Sequence, residues 1–164
     1  MDKVVQFISK TITLVGEKSA LLNLVLIGLI CFDVLQRYIF NQTFNWAIEL
    51  EWHIFGLIFL LGSAYTLQED KHVRVDLFYQ DFAPKTKAWI DLLGSLLLLI
   101  PWCLLGIVTC YSYASNSFYI NEGSPNPGGL PALYIIKYFV VVGFVLLLTQ
   151  GCVMIYKNYK TISQ

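Results

Sequence analysis

Residues 45–67 read NWAIELEWHIFGLIFLLGSAYTL, in which Glu49, Glu51 and His53 stand at the head of a run that reaches Leu67 without another charge. About 20 apolar residues in a helix cross a hydrocarbon core roughly 30 Å thick. The stretch therefore predicts a membrane span whose ionisable groups collect at one interface. Three further runs have the same character, and the expected spans lie at about 20–39, 47–67, 88–113 and 132–156. With 57% hydrophobic and 13% charged residues, a soluble fold of 164 residues would lack the polar surface to cover itself. The expected fold is an all-α integral membrane protein, one membrane domain over residues 1–164. Eleven basic residues balance eleven acidic ones, so no charge excess points to nucleic acid. The first apolar run is too long for a signal peptide, and IFNQTFNW offers no small-residue cleavage site, so it is expected to be a retained span.

Four spans put both termini on one side, and basic residues decide which side. With the termini inside, Lys3, Lys10, Lys18, Lys71, Arg74, Lys85, Lys87, Lys157 and Lys160 are cytoplasmic, and only Arg37 and Lys137 lie outside. N- and C-termini are expected in the cytoplasm. Before the first span, Val4, Val5, Ile8, Ile12 and Val15 recur at helical spacing among lysines, predicting a short amphipathic helix on the cytoplasmic surface. Pro84 suits the first turn of the third helix, where a missing N–H costs nothing, and Pro101 within that helix predicts a kink. The connection SNSFYINEGSPNPGGLP, residues 115–131, predicts an ordered loop of turns. No internal repeat suggests the inverted symmetry of a transport pathway.

Ionisable groups at membrane depth are costly and demand partners. Asp33 and Arg37 are four apart on one helix face, as are Glu49 and His53 on the next helix, so the spacing predicts one cluster of four at the outer interface. Lys137, at similar depth on the fourth span, is expected to pair with Glu49 or Glu51. Asn23, Ile27, Ile30, Asp33 and Arg37 form one stripe, and Glu49, His53, Gly56, Leu60 and Ser63 another. Small and polar residues on facing stripes are how helices approach in lipid. Helix-packing or subunit-docking glue, interface anchoring and an ion path all remain open readings, although a path needs acidic groups through the full depth. His53 and His72 sit near opposite membrane faces, roughly 28 Å apart along a helix, and cannot share a haem. Cys31, Cys103, Cys110 and Cys152 lie singly within spans and form no CxxC, against a thiol oxidase. No cofactor is expected in this chain.

The ordered set Arg37-Tyr38, Trp46-Ala47-Ile48-Glu49, Phe59-Leu60-Leu61-Gly62-Ser63-Ala64 and His72-Val73-Arg74-Val75-Asp76 resembles the small membrane subunit, the DctQ-like or Q subunit, of tripartite ATP-independent periplasmic (TRAP) transporters. The resemblance implies a non-enzymatic scaffold in a sodium-driven importer of organic acids, in the bacterial inner membrane. Its partners would be a large multi-span subunit that carries substrate and sodium, a periplasmic substrate-binding protein, and membrane lipids. The likeness leans toward the sialic-acid branch on no single motif. Asp33, Arg37, Trp46, Glu49, His53, Gly62, His72, Arg74, Asp76 and Lys137 are the expected interface and structural positions. Glu51, Asn121 and Glu122 are the expected periplasmic docking positions. Asp76 is expected to cap a short helix, with Arg74 facing headgroups or the large subunit. A redox-enzyme anchor or a stand-alone small channel or exporter are the competing functions.

Overall fold

The computed structural model describes residues 2–71, 79 and 81–163. Among them, four helices are long and apolar enough to cross a membrane: α1 (Asp2–Ile39), α2 (Asn45–Gln68), α3 (Pro84–Tyr119) and α4 (Tyr134–Ile162). The expected amphipathic helix is present but is not a separate element. It runs without a break into the first span as one 38-residue helix. No proline interrupts residues 2–39, and helix propagation is favourable once a turn exists, so nothing in the sequence stops it.

Pro84 occupies the first turn of α3 as expected. Around Pro101 the irregularity lies one turn earlier than the proline itself. Ser95–Leu99 form a π turn, closed by the Ile100 N–H donating to the Ser95 carbonyl. A proline ring collides with the carbonyl four residues back, and widening the preceding turn relieves that collision. The buried Ser95 hydroxyl donates to the Asp91 carbonyl at 2.6 Å within the same stretch.

The helices form an open row rather than a closed bundle: α1 packs on α2, α2 on α4, and α4 on α3, with lighter contact between α1 and α4. Glycines set the close approaches, because without a hydrophobic force between helices in lipid the backbones must come near enough for dispersion to act. A Cβ at Gly16 would overlap the Tyr65 side chain between α1 and α2. One at Gly143 would stand 3.1 Å from Leu60 Cβ between α2 and α4, and one at Gly106 would stand 2.8 Å from the Phe144 ring between α3 and α4. At the end of the row that carries both termini, the Tyr156 hydroxyl donates to Asp2 at 3.1 Å and the Lys160 ammonium lies 3.7 Å from the same carboxylate. At the opposite end, Asn121 takes a left-handed conformation (φ 47°) that lets the Glu122 N–H reach back to the Ser117 carbonyl at 3.0 Å and close α3.

Candidate subunit interface

The expected Asp33–Arg37 pair forms, with the guanidinium donating to Asp33 Oδ2 at 2.6 Å. Asp33 is buried, with a side chain 7% exposed, while the arginine head is half exposed. The expected cluster of four does not assemble. Residues 49 and 51 point to opposite sides of α2 because two helical steps turn the chain by about 200°. Glu51, not Glu49, lies within electrostatic reach of Asp33 and Arg37.

Glu49 turns instead to the connection between α3 and α4. Its Oε1 accepts from the Ser124 hydroxyl and, at 2.9 Å, from the Asn126 side-chain amide; its Oε2 accepts from the Leu130 N–H at 2.7 Å. Asn45 adds a fourth tie, donating to the Pro127 carbonyl at 2.9 Å. The carboxylate thus stands in for the missing backbone partners of a proline- and glycine-rich loop. Gly129 belongs to the same design, since a Cβ there would press on Ser124 and come within 2.8 Å of Glu49 Oε1. His53 does not bond the Glu49 carboxylate; its Nδ1 lies against the Glu49 backbone carbonyl one turn back.

Lys137 pairs with neither Glu49 nor Glu51 but with Glu122, on the same connection. Its ammonium also lies 4.1 Å from the centroid of the Tyr113 ring. The hydrogen bond from Lys137 holds the Glu122 carboxyl below the usual carboxylate range. Two acidic side chains therefore fix the loop, Glu49 from α2 and Glu122 from within the loop through Lys137 of α4, and Asn121 remains exposed beside them. Trp46 stacks obliquely with Phe44 and Phe32, at 6.0 and 6.1 Å between ring centroids, and ties the start of α2 to the end of α1. His72, Arg74 and Asp76 lie outside the described residues.

Along one side of α1 and α2 runs an open groove. Near the termini a recess of about 620 Å³ is lined by Ser19, Ala20 and Asn23 from α1 and Phe59, Gly62 and Ser63 from α2. Toward the other end a second recess of about 470 Å³ lies among Leu26, Ile30, Glu51, Trp52 and Phe55. Trp52, Phe55 and Phe59 recur at three- and four-residue spacing and are 74%, 63% and 68% exposed. Gly62 faces this opening, with none of the described residues within 4 Å of where a Cβ would stand. The arrangement offers shape and apolar area to another helix and holds charge at both ends, Glu17 and Lys71 at one and Glu51 at the other. Ser124, Asn126 and the Leu130 N–H, which complete the Glu49 site, were not singled out by the sequence. The available signal was a glutamate at an interface near a loop with many unpaired donors.

Comparison with known proteins places a family model, tripartite ATP-independent periplasmic transporters, DctQ component, over residues 26–161. No curated protein matches the chain.

Proposed function

The chain belongs to the DctQ family, the small membrane component of TRAP transporters, and from that premise we propose that it is the fixed scaffold of a sodium-driven importer. As a member it is a multi-pass inner-membrane subunit of a transport system, and its family implies a large membrane subunit and a binding protein as partners. The finer reading is that the large subunit, which carries substrate and sodium, seats against the α1/α2 groove. Both termini then lie in the cytoplasm, and the connection between α3 and α4 faces the periplasm and helps dock the substrate-binding protein.

The observation that carries this reading is the groove itself. It is a long apolar opening with an aromatic ridge and a glycine floor, on a chain whose helices form a row instead of closing on themselves. In lipid a row exposes far more helix surface than a bundle, and small residues in a groove favour close helix contact. The loop supports the docking role, because an anchored loop loses little conformational freedom when a partner binds. The organic acid carried is open to test, sialic acid first.

Co-expression with the large subunit and purification in mild detergent should recover both chains together. Liposomes holding both should import the solute only with a sodium gradient and the binding protein present. Transport by the large subunit alone at the same rate would overturn the scaffold assignment.

A further inference from the structure

Of the ionisable groups at membrane depth, Glu49 and Lys137 are saturated by the loop, but the Asp33–Arg37–Glu51 cluster is not. Arg37 is committed to Asp33 Oδ2 at 2.6 Å. Asp33 Oδ1 and Glu51 Oε1 are both buried and receive no hydrogen bond from the described residues. Two carboxyl groups share one guanidinium, and that guanidinium is spent on Asp33. A buried carboxylate oxygen without a donor is costly, and the cost grows beside hydrocarbon. The cluster therefore lacks one cationic donor.

Resting on the reading that a large membrane subunit seats in the groove, we propose that Asp33, Arg37 and Glu51 form the receptor for a lysine or arginine side chain carried by a helix of that subunit. The recess at Glu51 suits such a side chain. Its walls are apolar, from Leu26, Ile30, Trp52 and Phe55, and match the methylene stem of a basic residue, while Glu51, the one acidic residue of the lining, stands to meet its head. A lipid amine fits less well. A phosphatidylethanolamine headgroup brings its phosphate with the ammonium, and that anion would stand beside two carboxylates. The arrangement gives register as well as affinity, since one charge fixes where along the groove the partner helix stops.

The test uses the chain co-expressed with its large subunit, comparing wild type, Glu51→Gln and Glu51→Lys for large subunit retained in mild detergent. Monodispersity and helicity of each isolated chain serve as the fold check. Glu51→Gln should lower retention several-fold and Glu51→Lys by about tenfold or more. Among single Lys→Glu and Arg→Glu reversals in the spans of the large subunit, one should weaken the wild-type complex and restore the Glu51→Lys complex. If Glu51→Lys fails the fold check, the cycle is run with Glu51→Gln. The partner's reversal must then cost less than it does against wild type, and an equal cost overturns the proposal. Normal retention of Glu51→Lys overturns it as well. So does a loss that no reversal restores and that wild type reproduces when phosphatidylethanolamine is removed, which assigns the site to a lipid amine. If wild type itself retains no large subunit, the scaffold reading fails and this inference falls with it.

Discussion

Gly62 separates the stability of this chain from its assembly. A glycine in a helix interior costs about 0.8–1 kcal/mol relative to alanine, and none of the described residues stands within 4 Å of a Cβ at Gly62. Gly62→Ala should therefore stabilise the isolated chain. About 1 kcal/mol is the ceiling, because a chain unfolded within the membrane is still largely helical and part of the gain cancels. For 164 residues this raises the detergent melting temperature by at most about 2–4 °C. The same change at Gly143 has the opposite sign. Its Cβ would sit 3.1 Å from Leu60 Cβ and 3.3 Å from the Leu60 backbone oxygen, and overpacking of about 1–3 kcal/mol outweighs the propensity gain. Gly62→Leu then tests function, filling the groove without touching the packed interfaces. The isolated chain should melt no lower than wild type, while retention of the large subunit should fall by about tenfold, or roughly 1.4 kcal/mol. Melting is read by fluorescence size-exclusion after heating, and retention by affinity pull-down. If Gly62→Ala destabilises as Gly143→Ala does, the groove is not open. If Gly62→Leu assembles normally, the partner sits elsewhere.

Glu49→Gln should loosen the loop rather than the helices. A neutral amide cannot accept from Ser124, Asn126 and the Leu130 N–H together, so hydrogen exchange at residues 123–131 should rise several-fold with little change elsewhere, and uniform exchange would count against the anchor. Arg37→Ala strands the buried Asp33 carboxylate and should cost about 1–3 kcal/mol, below the range for a fully buried pair because the arginine head is half exposed; Arg37→Lys should recover part of it, as chemical unfolding in detergent can measure. The Glu122–Lys137 link follows the lowered carboxyl of Glu122. Its stabilisation is complete above the ordinary glutamate value near 4.3 and is lost as pH falls through the lower folded value. A spin label at position 121, on a cysteine-free background, should stay immobile from neutral pH to about 4.3 and loosen only below it, and Glu122→Gln should be loose throughout.

What the sequence revealed divides by distance along the chain. The four spans and the Asp33–Arg37 pair were legible because periodicity and four-residue spacing are local. Glu49 was recognised as a site but given the wrong partner. Its true partners lie 75 to 81 residues away, in a loop whose fold a list of prolines and glycines does not specify. Lys137 differs for a related reason: depth in the membrane suggests Glu49 or Glu51, yet the anchored connection between α3 and α4 brings Glu122 to the ammonium. The α1 boundary is hidden in the sequence because an amphipathic pattern gives way to an apolar one, which suggests two elements, although no residue between them stops a helix. Around Pro101 the sequence marks the neighbourhood of the distortion but not its form, since either a kink or a widened turn one turn earlier relieves the proline ring's collision.

The unbroken length of α1 bears on how the protein sits in its bilayer. At about 1.5 Å per residue, 38 residues extend about 57 Å, nearly twice a hydrocarbon core of roughly 30 Å. To hide the whole rod, the helix would have to lean by about 60°, beyond the usual range of up to about 40°. Its first turns, with Lys3, Lys10 and Lys18, must therefore leave the core and reach the headgroups, where each lysine gains about 1 kcal/mol from anionic lipid. Those turns are pinned to α2 at Tyr65 and to α4 at Lys160, so the rod cannot adjust its slant alone. A thicker or more anionic membrane would pull on the lysine-bearing end of α1 and rock the entire row with it, which makes membrane thickness and surface charge direct inputs to the angle at which the groove is presented.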